Sequence, residues 1–348
     1  MNTEHNYELY QKKIETLLHE YPELKKDEKM SAHCSFLIGG TADLFYEVEN
    51  LEKLIKLLKR AKDLDIPIQI LGKGSNVLIS DKGIRGLVCV FAKNYAKINL
   101  LTASEAAKKN LTVLSVKKEN EALSSMPDVC DDVYFIEAES GISLAAVAEF
   151  AAQNSLTGLE FARGIPGSLG GALYMNAGAY GDMMQDIVSR TRVLTENLEI
   201  VDIDYENHEF AYRESVFSKR NYIILSSYLC LRKGDYEKII ARMAELAKRR
   251  RDSQPLEYPS AGSVFKRPEG YYAGKLIMDS GLKGSSVGGA EVSTKHAGFI
   301  INKNKQASAE DVLQLIKKVQ ETVYSKYSVR LERELRLIGD FDGKEAEV

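Results

Sequence analysis

The sequence predicts an α+β protein. Three observations carry that expectation: five segments with helix-period apolar stripes, short strand-like apolar runs between them, and no strict strand–helix–strand alternation of the kind a doubly wound sheet requires. The chain has 348 residues, and 47 basic against 50 acidic side chains leave a net charge of −3. That length suggests about two domains and lets the chain bury roughly three quarters of its unfolded surface, enough to fold without staples. Near-balanced charge offers no basic stripe to a polyanion, so no nucleic-acid partner is expected. No apolar run approaches the roughly 20 residues that span a bilayer. A cytoplasmic chain without membrane insertion is therefore expected, with a small-molecule partner.

The elements follow in order. The first twenty residues form an amphipathic stripe through Tyr7, Tyr10, Ile14, Leu17 and Leu18, which predicts a helix. Leu44 to Val48 reads as a strand. Leu51 to Leu64 places Leu54, Ile55, Leu57 and Leu58 on one helical side with lysines outward. Ile66 to Leu71 and Leu87 to Phe91 are strand-like. The stretch from Lys97 to Asp132 is rich in Lys, Glu, Ala and Ser with weak patterning, and is expected to be an insertion, either an exposed hairpin or a mobile excursion. Leu144 to Gln153 reads as helix, Tyr222 to Leu231 as strand, and Asp235 to Arg251 as helix. The latter closes on Lys248-Arg-Arg-Arg251, read as solvated cations that complement a helix C-terminus. Ser308-Ala-Glu-Asp311 resembles a capping box opening a helix to about Tyr327. A final strand, Val329 to Ile338, would place Glu332 and Glu334 on one face.

Cysteines and histidines supply no disulfide or metal motif. Cys34, Cys89, Cys130 and Cys230 lie far apart with no CxxC pair, and His5, His19, His33, His208 and His296 form no HExxH or HxH cluster. Neither a disulfide framework nor a metal centre is expected.

Chemistry is carried instead by glycine-rich loops. Ile70-Leu-Gly72-Lys-Gly74-Ser-Asn76-Val runs from one strand into another with no helix after it, which separates it from the dinucleotide fingerprint. Its glycines let backbone N–H groups converge on an anion, with Ser75 and Asn76 as further donors, although an ordinary hairpin turn would read the same way. A denser stretch holds six glycines between Gly164 and Gly181. Such a backbone can approach a flat or phosphorylated ligand closely. Two such loops without a GK[ST] ending suggest a large phosphorylated cofactor held mostly by main chain. Reactive groups follow in Tyr212-Arg213-Glu214-Ser215, in Pro259-Ser-Ala-Gly-Ser263-Val-Phe-Lys266-Arg267, and in Leu331-Glu-Arg-Glu334. Each of these alone could be a surface turn or a polar strand face.

Together the stretches resemble the UDP-N-acetylenolpyruvoylglucosamine reductase family, flavoenzymes that complete UDP-N-acetylmuramate for peptidoglycan. The likeness runs from His33-Cys-Ser-Phe-Leu-Ile-Gly-Gly-Thr-Ala-Asp43 through Gly158–Gly167, Gly274-Lys-Leu-Ile277, Gly281–Gly284 and His296–Asn302 to Glu334. The short path from Tyr212 to Ser263 is similar to the family's shorter, type II-like form, which lacks an extra tyrosine-bearing substrate loop. The resemblance implies non-covalent FAD in a vanillyl-alcohol-oxidase-type two-subdomain fold, NADPH as co-substrate, and a UDP-sugar enolpyruvyl ether as substrate. It implies residues 1–85 as first FAD subdomain rejoined by 329–348, residues 86–232 as the second with insertion 97–132, and 233–328 as substrate domain. The oligomeric state is open, a monomer being favoured.

The resemblance also assigns residues. Arg213, Ser263 and Glu334 would be catalytic, as enolate stabiliser, proton donor and enolate-holding carboxyl. Leu71, Gly72, Lys73, Gly74, Ser75, Asn76, Gly141, Ile165, Pro166, Ser168, Gly171, Ala172, Asn176 and Gly178 would hold the cofactor. Tyr212, Lys266, Arg267 and His296 would contact substrate, Lys266 and Arg267 at its pyrophosphate. The chain departs from the family pattern at Cys34 (usually Thr), Arg267 (usually Asn), Glu139-Ser140 (usually Ala-Gly), and in the length of 97–132. An FAD-dependent sugar or lactone oxidoreductase on the same fold is the alternative, because a fold does not fix its reaction. A non-catalytic nucleotide-binding scaffold is a more distant one.

Overall fold

A computed structural model describes residues 3–114 and 132–341. The chain opens with α1 (Thr3–Glu20), β1 (Lys25–Lys29), β2 (Thr41–Glu47), α2 (Leu51–Asp63), β3 (Ile68–Leu71), β4 (Val77–Ile79) and β5 (Ile84–Val90). Next come β6 (Ile98–Leu101), α3 (Ala103–Lys108), β7 (Val133–Glu139), α4 (Leu144–Gln153), β8 (Leu156–Thr157), α5 (Leu169–Tyr174), β9 (Gly178–Ala179) and β10 (Asp182–Met183). β11 (Val188–Leu194), β12 (Ile200–Asp204), α6 (Val216–Lys219), β13 (Ile223–Lys233) and α7 (Tyr236–Ser253) follow. The C-terminal part holds β14 (Ser260–Ser263), α8 (Ala273–Asp279), β15 (Ser286–Val287), β16 (Ala290–Val292), β17 (Phe299–Ile301), α9 (Ala309–Tyr327) and β18 (Arg336–Ile338). Helices and short strands mix without regular alternation, as the patterning predicts.

Two compact units divide the chain. The first joins Met1–Glu47 and Leu51–Val90 to Arg251–Val348. Its sheet β1-β2-β5-β3 pairs β1 and β2 antiparallel and the others parallel, and β4 pairs in parallel with β18. A second sheet, β14-β17-β16-β15, is antiparallel. Main-chain acceptors bind the early and late segments: Ser35 Oγ donates to Ser260 O (2.6 Å) and Asn302 Nδ2 to Phe36 O (3.1 Å). Asp43 of β2 is buried and accepts from the Tyr10 hydroxyl and, from β5, the Arg85 guanidinium and the Gly86 N–H. It thereby holds α1 on the sheet. Ile14 and Leu17 are buried there, whereas Tyr7 of the expected stripe is exposed.

The expected capping box at the start of α9 is present, Ser308 Oγ accepting from Asp311 N and Asp311 Oδ2 from Ser308 N. Asp81 adds its carboxylate to the Ala309 and Glu310 N–H groups, which ties this helix start to the loop after β4.

The second unit, Val48–Asn50 and Phe91–Arg250, centres on a six-stranded sheet built around β12-β11-β13-β7-β6, with β8 added on β13. β13 is buried on both sides. Leu229 and Leu231 join α4, α5 and α7 in the main core, while Tyr228 and Cys230 on the opposite side meet Leu101, Leu114 and Phe135.

Three expectations change here. The strand expected over Val329–Ile338 shrinks to β18, because residues 332–336 exchange hydrogen bonds with two different partners in succession. The Lys248–Arg251 run is not wholly solvated: Arg250 is half-buried and donates to Gly164 O, which ends a 3₁₀ turn. The Lys97–Asp132 stretch begins as sheet edge rather than as a free excursion. Its β6 pairs with β7, α3 carries its own capping box at Thr102, and Arg190 donates to Lys109 O and Asn110 O. Residues 115–131 of that stretch, with Cys130, lie outside the described residues. Among the described residues Cys34, Cys89 and Cys230 are buried free thiols, and no helix is long and apolar enough to cross a membrane.

Asp43→Ala removes the shared acceptor of the Tyr10, Arg85 and Gly86 donors. Unfolding in urea should show a loss of about 2–4 kcal/mol, since buried donors are left unmade. A loss under ~0.5 kcal/mol would show that Asp43 does not anchor α1.

Candidate active site

In the first unit the Gly72–Asn76 loop links β3 to β4, which lie in different sheets, so it is no hairpin turn. Gly74 has φ +61°, and a Cβ there would lie 2.3 Å from His33 O. Only glycine fits. Ser35 N donates to Gly74 O (3.0 Å) and fixes the loop from behind. The N–H groups of Lys73, Gly74 and Ser75 find no acceptor among the described residues. Successive unspent amides are the donor set that a phosphate needs, so the loop fits the phosphate-bearing part of a dinucleotide cofactor. Leu71 is buried and offers only main chain.

Ser263 and Glu334 come together through the backbone. Phe265 and Arg333 form an antiparallel bridge; Lys266 N donates to Glu332 O (2.9 Å) and Glu334 N to Val264 O (2.8 Å). Asn76 then joins them, its Nδ2 donating to Glu334 O (3.1 Å) while Arg336 N donates to Asn76 O (3.1 Å). Asn76 therefore spends part of its side chain on positioning the Glu334 segment. Lys266 pairs with Glu332 at 3.6 Å, an exposed partner that a more highly charged anion can displace.

His296 reaches the same strands: Val264 N donates to Gly298 O, and Gly298 N to His296 Nδ1 (3.1 Å). Burial pushes the His296 pKa down, and the Lys283 charge adds to this. A neutral ring with Nδ1 occupied presents Nε2–H as a donor. Arg267 stacks on the Tyr272 ring at 4.0 Å and donates to Tyr271 O.

In the second unit Gly141 is required for close approach rather than for φ, since a Cβ would sit 2.4 Å from both Ala92 O and Tyr95 O. Its neighbour Ser140 is buried, with a hydroxyl that has no partner among the described residues, and Gly170 N donates to Ser140 O (2.9 Å). An orphaned hydroxyl beside two glycines fits a polar ligand edge. The Gly164–Gly181 stretch continues through Ile165 and Pro166 into α5, which Ser168 caps by accepting from Gly171 N (3.4 Å). Ala172 turns its methyl into the core, and Gly178 packs against Asp182 O. Asn176 differs from its expected role. Its two amide protons go to Gln185 Oε1 and Ala211 O, both at 2.9 Å, and Oδ1 accepts from Gln185 N. That side chain has no donor left for a cofactor.

Tyr212 and Arg213 form the corner of a two-residue turn, Ala211 N donating to Glu214 O and Glu214 N to Ala211 O. Arg213 has φ +60°, a left-handed conformation that costs a non-glycine residue roughly 1–2 kcal/mol. Just before the turn, His208 is fully buried, stacked on Phe210, with its ring nitrogens on Tyr205 O and Thr191 Oγ1. Burial pushes its pKa down to about 4. Sequence reasoning missed Ser140, Gln185 and Arg250. The Ser140 departure from the family pattern was a signal; the other two had none.

Two outcomes follow from this geometry. Gly74→Ala should yield protein with a clearly reduced 450 nm to 280 nm absorbance ratio after purification with excess FAD; wild-type flavin content would rule out the loop as a cradle. An unfolded chain protonates His208 near pH 6.5, the folded one only near pH 4. Folded stability from this group is therefore intact above pH 6.5 and falls as pH drops toward 4, by up to about 3 kcal/mol. Urea midpoints at pH 7 and pH 5 should show the drop, and His208→Gln, which takes up no proton, should shrink it.

Known proteins match this arrangement. The C-terminal domain model of UDP-N-acetylenolpyruvoylglucosamine reductase matches residues 254–338, and an FAD-binding domain model matches 96–204. The reductase of Agathobacter rectalis is 46% identical over 318 residues, covering 91% of this chain and 95% of that protein. That of Clostridium novyi is 44% identical over 329 residues, covering 94% and 96%. The crystal structure of the Thermus caldophilus reductase superposes with a TM-score of 0.70 at 30% identity, covering 90% of this chain and 99% of that one. The chain belongs to the UDP-N-acetylenolpyruvoylglucosamine reductase family.

Proposed function

We propose that this chain is an NADPH-dependent flavoenzyme that reduces the enolpyruvyl ether of UDP-N-acetylglucosamine to UDP-N-acetylmuramate, a step of peptidoglycan synthesis, in the cytoplasm and as a monomer. The observation that carries it is 44–46% identity to named reductases over at least nine tenths of the chain. Bound non-covalently, FAD would supply the two-electron hydride chemistry that links NADPH to the vinyl carbon of the substrate. The amides of Lys73–Ser75, the Gly141 and Gly171 main chain and the Ser140 hydroxyl are the groups that would hold it. Residues 233–328 are read as the substrate domain, and residues 1–85 with 329–348 and 86–232 as the two cofactor subdomains.

The chain's own residues then manage charge and proton. Hydride addition leaves negative charge on the carbon next to the carboxylate. Arg213, permanently charged and with directed donors, stabilises that enolate. Ser263 gives its hydroxyl proton to the same carbon; serine is a weak acid, but an enolate carbon is basic enough to take it. Glu334 holds the enolate or orients its neighbours. Neutral His296 offers Nε2–H to a substrate acceptor, and Tyr212, Lys266 and Arg267 contact the UDP-sugar, the last two at its pyrophosphate.

The test is an anaerobic flavin absorbance record, NADPH added first and the enolpyruvyl sugar second. NADPH should bleach the flavin and the sugar restore it. Ser263→Ala should keep the bleaching and slow the restoration by roughly 10²–10⁴-fold. Colourless protein that takes up no FAD overturns the flavoenzyme reading, and unchanged restoration in Ser263→Ala overturns the proton-donor assignment.

A further inference from the structure

The Arg213 turn is held at both ends by one short segment, Tyr174–Asn176. Upstream, Ala211 O accepts from Asn176 Nδ2 at 2.9 Å. Downstream, Ser215 Oγ donates to Tyr174 O at 2.8 Å. Tyr174 closes α5 and Asn176 follows two residues later, so both anchors stand at the end of the glycine-rich stretch. Gln185 locks the upstream anchor, since it both accepts from Asn176 Nδ2 and donates its N–H to Asn176 Oδ1. Asn176 and Ser215 are themselves buried. Strained conformations such as the left-handed φ of Arg213 persist only where the surroundings over-determine them, and these bonds do so.

We propose that Asn176 and Ser215 are positioning residues that clamp the Arg213 turn, so that the C-terminal end of the glycine-rich stretch serves as a mount for the arginine rather than as a cofactor contact. The catalytic purpose of the clamp rests on the reading of Arg213 as enolate stabiliser. The clamp itself does not. Its bonds are main-chain acceptors met by side-chain donors, and removing a donor frees one end of the turn while leaving flavin-side residues in place. Asn176→Asp is the isosteric choice, because it keeps the acceptor toward Gln185 N and loses both donated protons. Ser215→Ala removes the other end.

Two readouts on the FAD-loaded enzyme separate the clamp from the chemistry. Limited trypsin digestion followed by mass spectrometry reads cleavage after Arg213. Both variants should be cut there at least several-fold faster than wild type, with cleavage at other sites unchanged. Anaerobic reoxidation by the enolpyruvyl sugar should slow by roughly 10²-fold, the scale of a small misplacement of a reacting group, while NADPH bleaching keeps its rate. In an Arg213→Ala background, Ser215→Ala should cost nothing further, because its effect passes through the arginine. Unchanged cleavage after Arg213, or additive losses in the double variant, overturns the clamp. If Arg213→Ala reoxidises at the wild-type rate while cleavage after Arg213 still rises in Ser215→Ala, the enolate-stabiliser reading fails and the mechanical clamp stands.

Discussion

The main chain from Glu332 to Arg336 is the constraint on which the first unit depends. Within five residues it bonds to Lys266, Val264 and Asn76 in turn. Each contact alone is worth about 1 kcal/mol, yet together they set where Ser263 and Glu334 stand relative to the Gly72–Asn76 loop. The same changes of partner prevent a continuous strand, since regular pairing needs one neighbour at constant register. Irregularity here is what lets a single segment reach two others, Val264–Lys266 and Asn76.

The long helices were readable because each turns one apolar face inward, whereas β13, buried on both sides, reads as a near-continuous apolar run. The α4 boundaries and the α9 capping box follow from local patterning and side-chain chemistry. What failed to read had no local cause. Arg250 sits in a run that looks solvated, and only the distant Gly164 carbonyl gives it a reason to be half-buried. Likewise β6 carries weak patterning because it lies at the sheet edge, where Leu101 is buried but Leu100 stays exposed.

For the site, residue types and order were legible, and functions of individual glycines were not. Gly74 and Gly141 look alike in sequence. One is required by a left-handed φ, the other by two carbonyls pressed against its α-carbon. Asn176 shows the opposite limit: an amide in a glycine-rich loop suggests a ligand contact, but only the partners Gln185 and Ala211 reveal that its hydrogen-bonding capacity is spent inside the chain.

The pairing of Asn76 with Glu334 spans 258 residues of sequence, and this separation orders events during synthesis. Residues 91–250 form one unbroken span of the second unit, so its sheet can close while the ribosome still holds the remainder. The first unit has no such freedom. Its β4 waits for β18, so the Gly72–Asn76 loop stays unbraced until that late strand has emerged. A nascent chain therefore closes the second unit before the first, whose two ends must both be present.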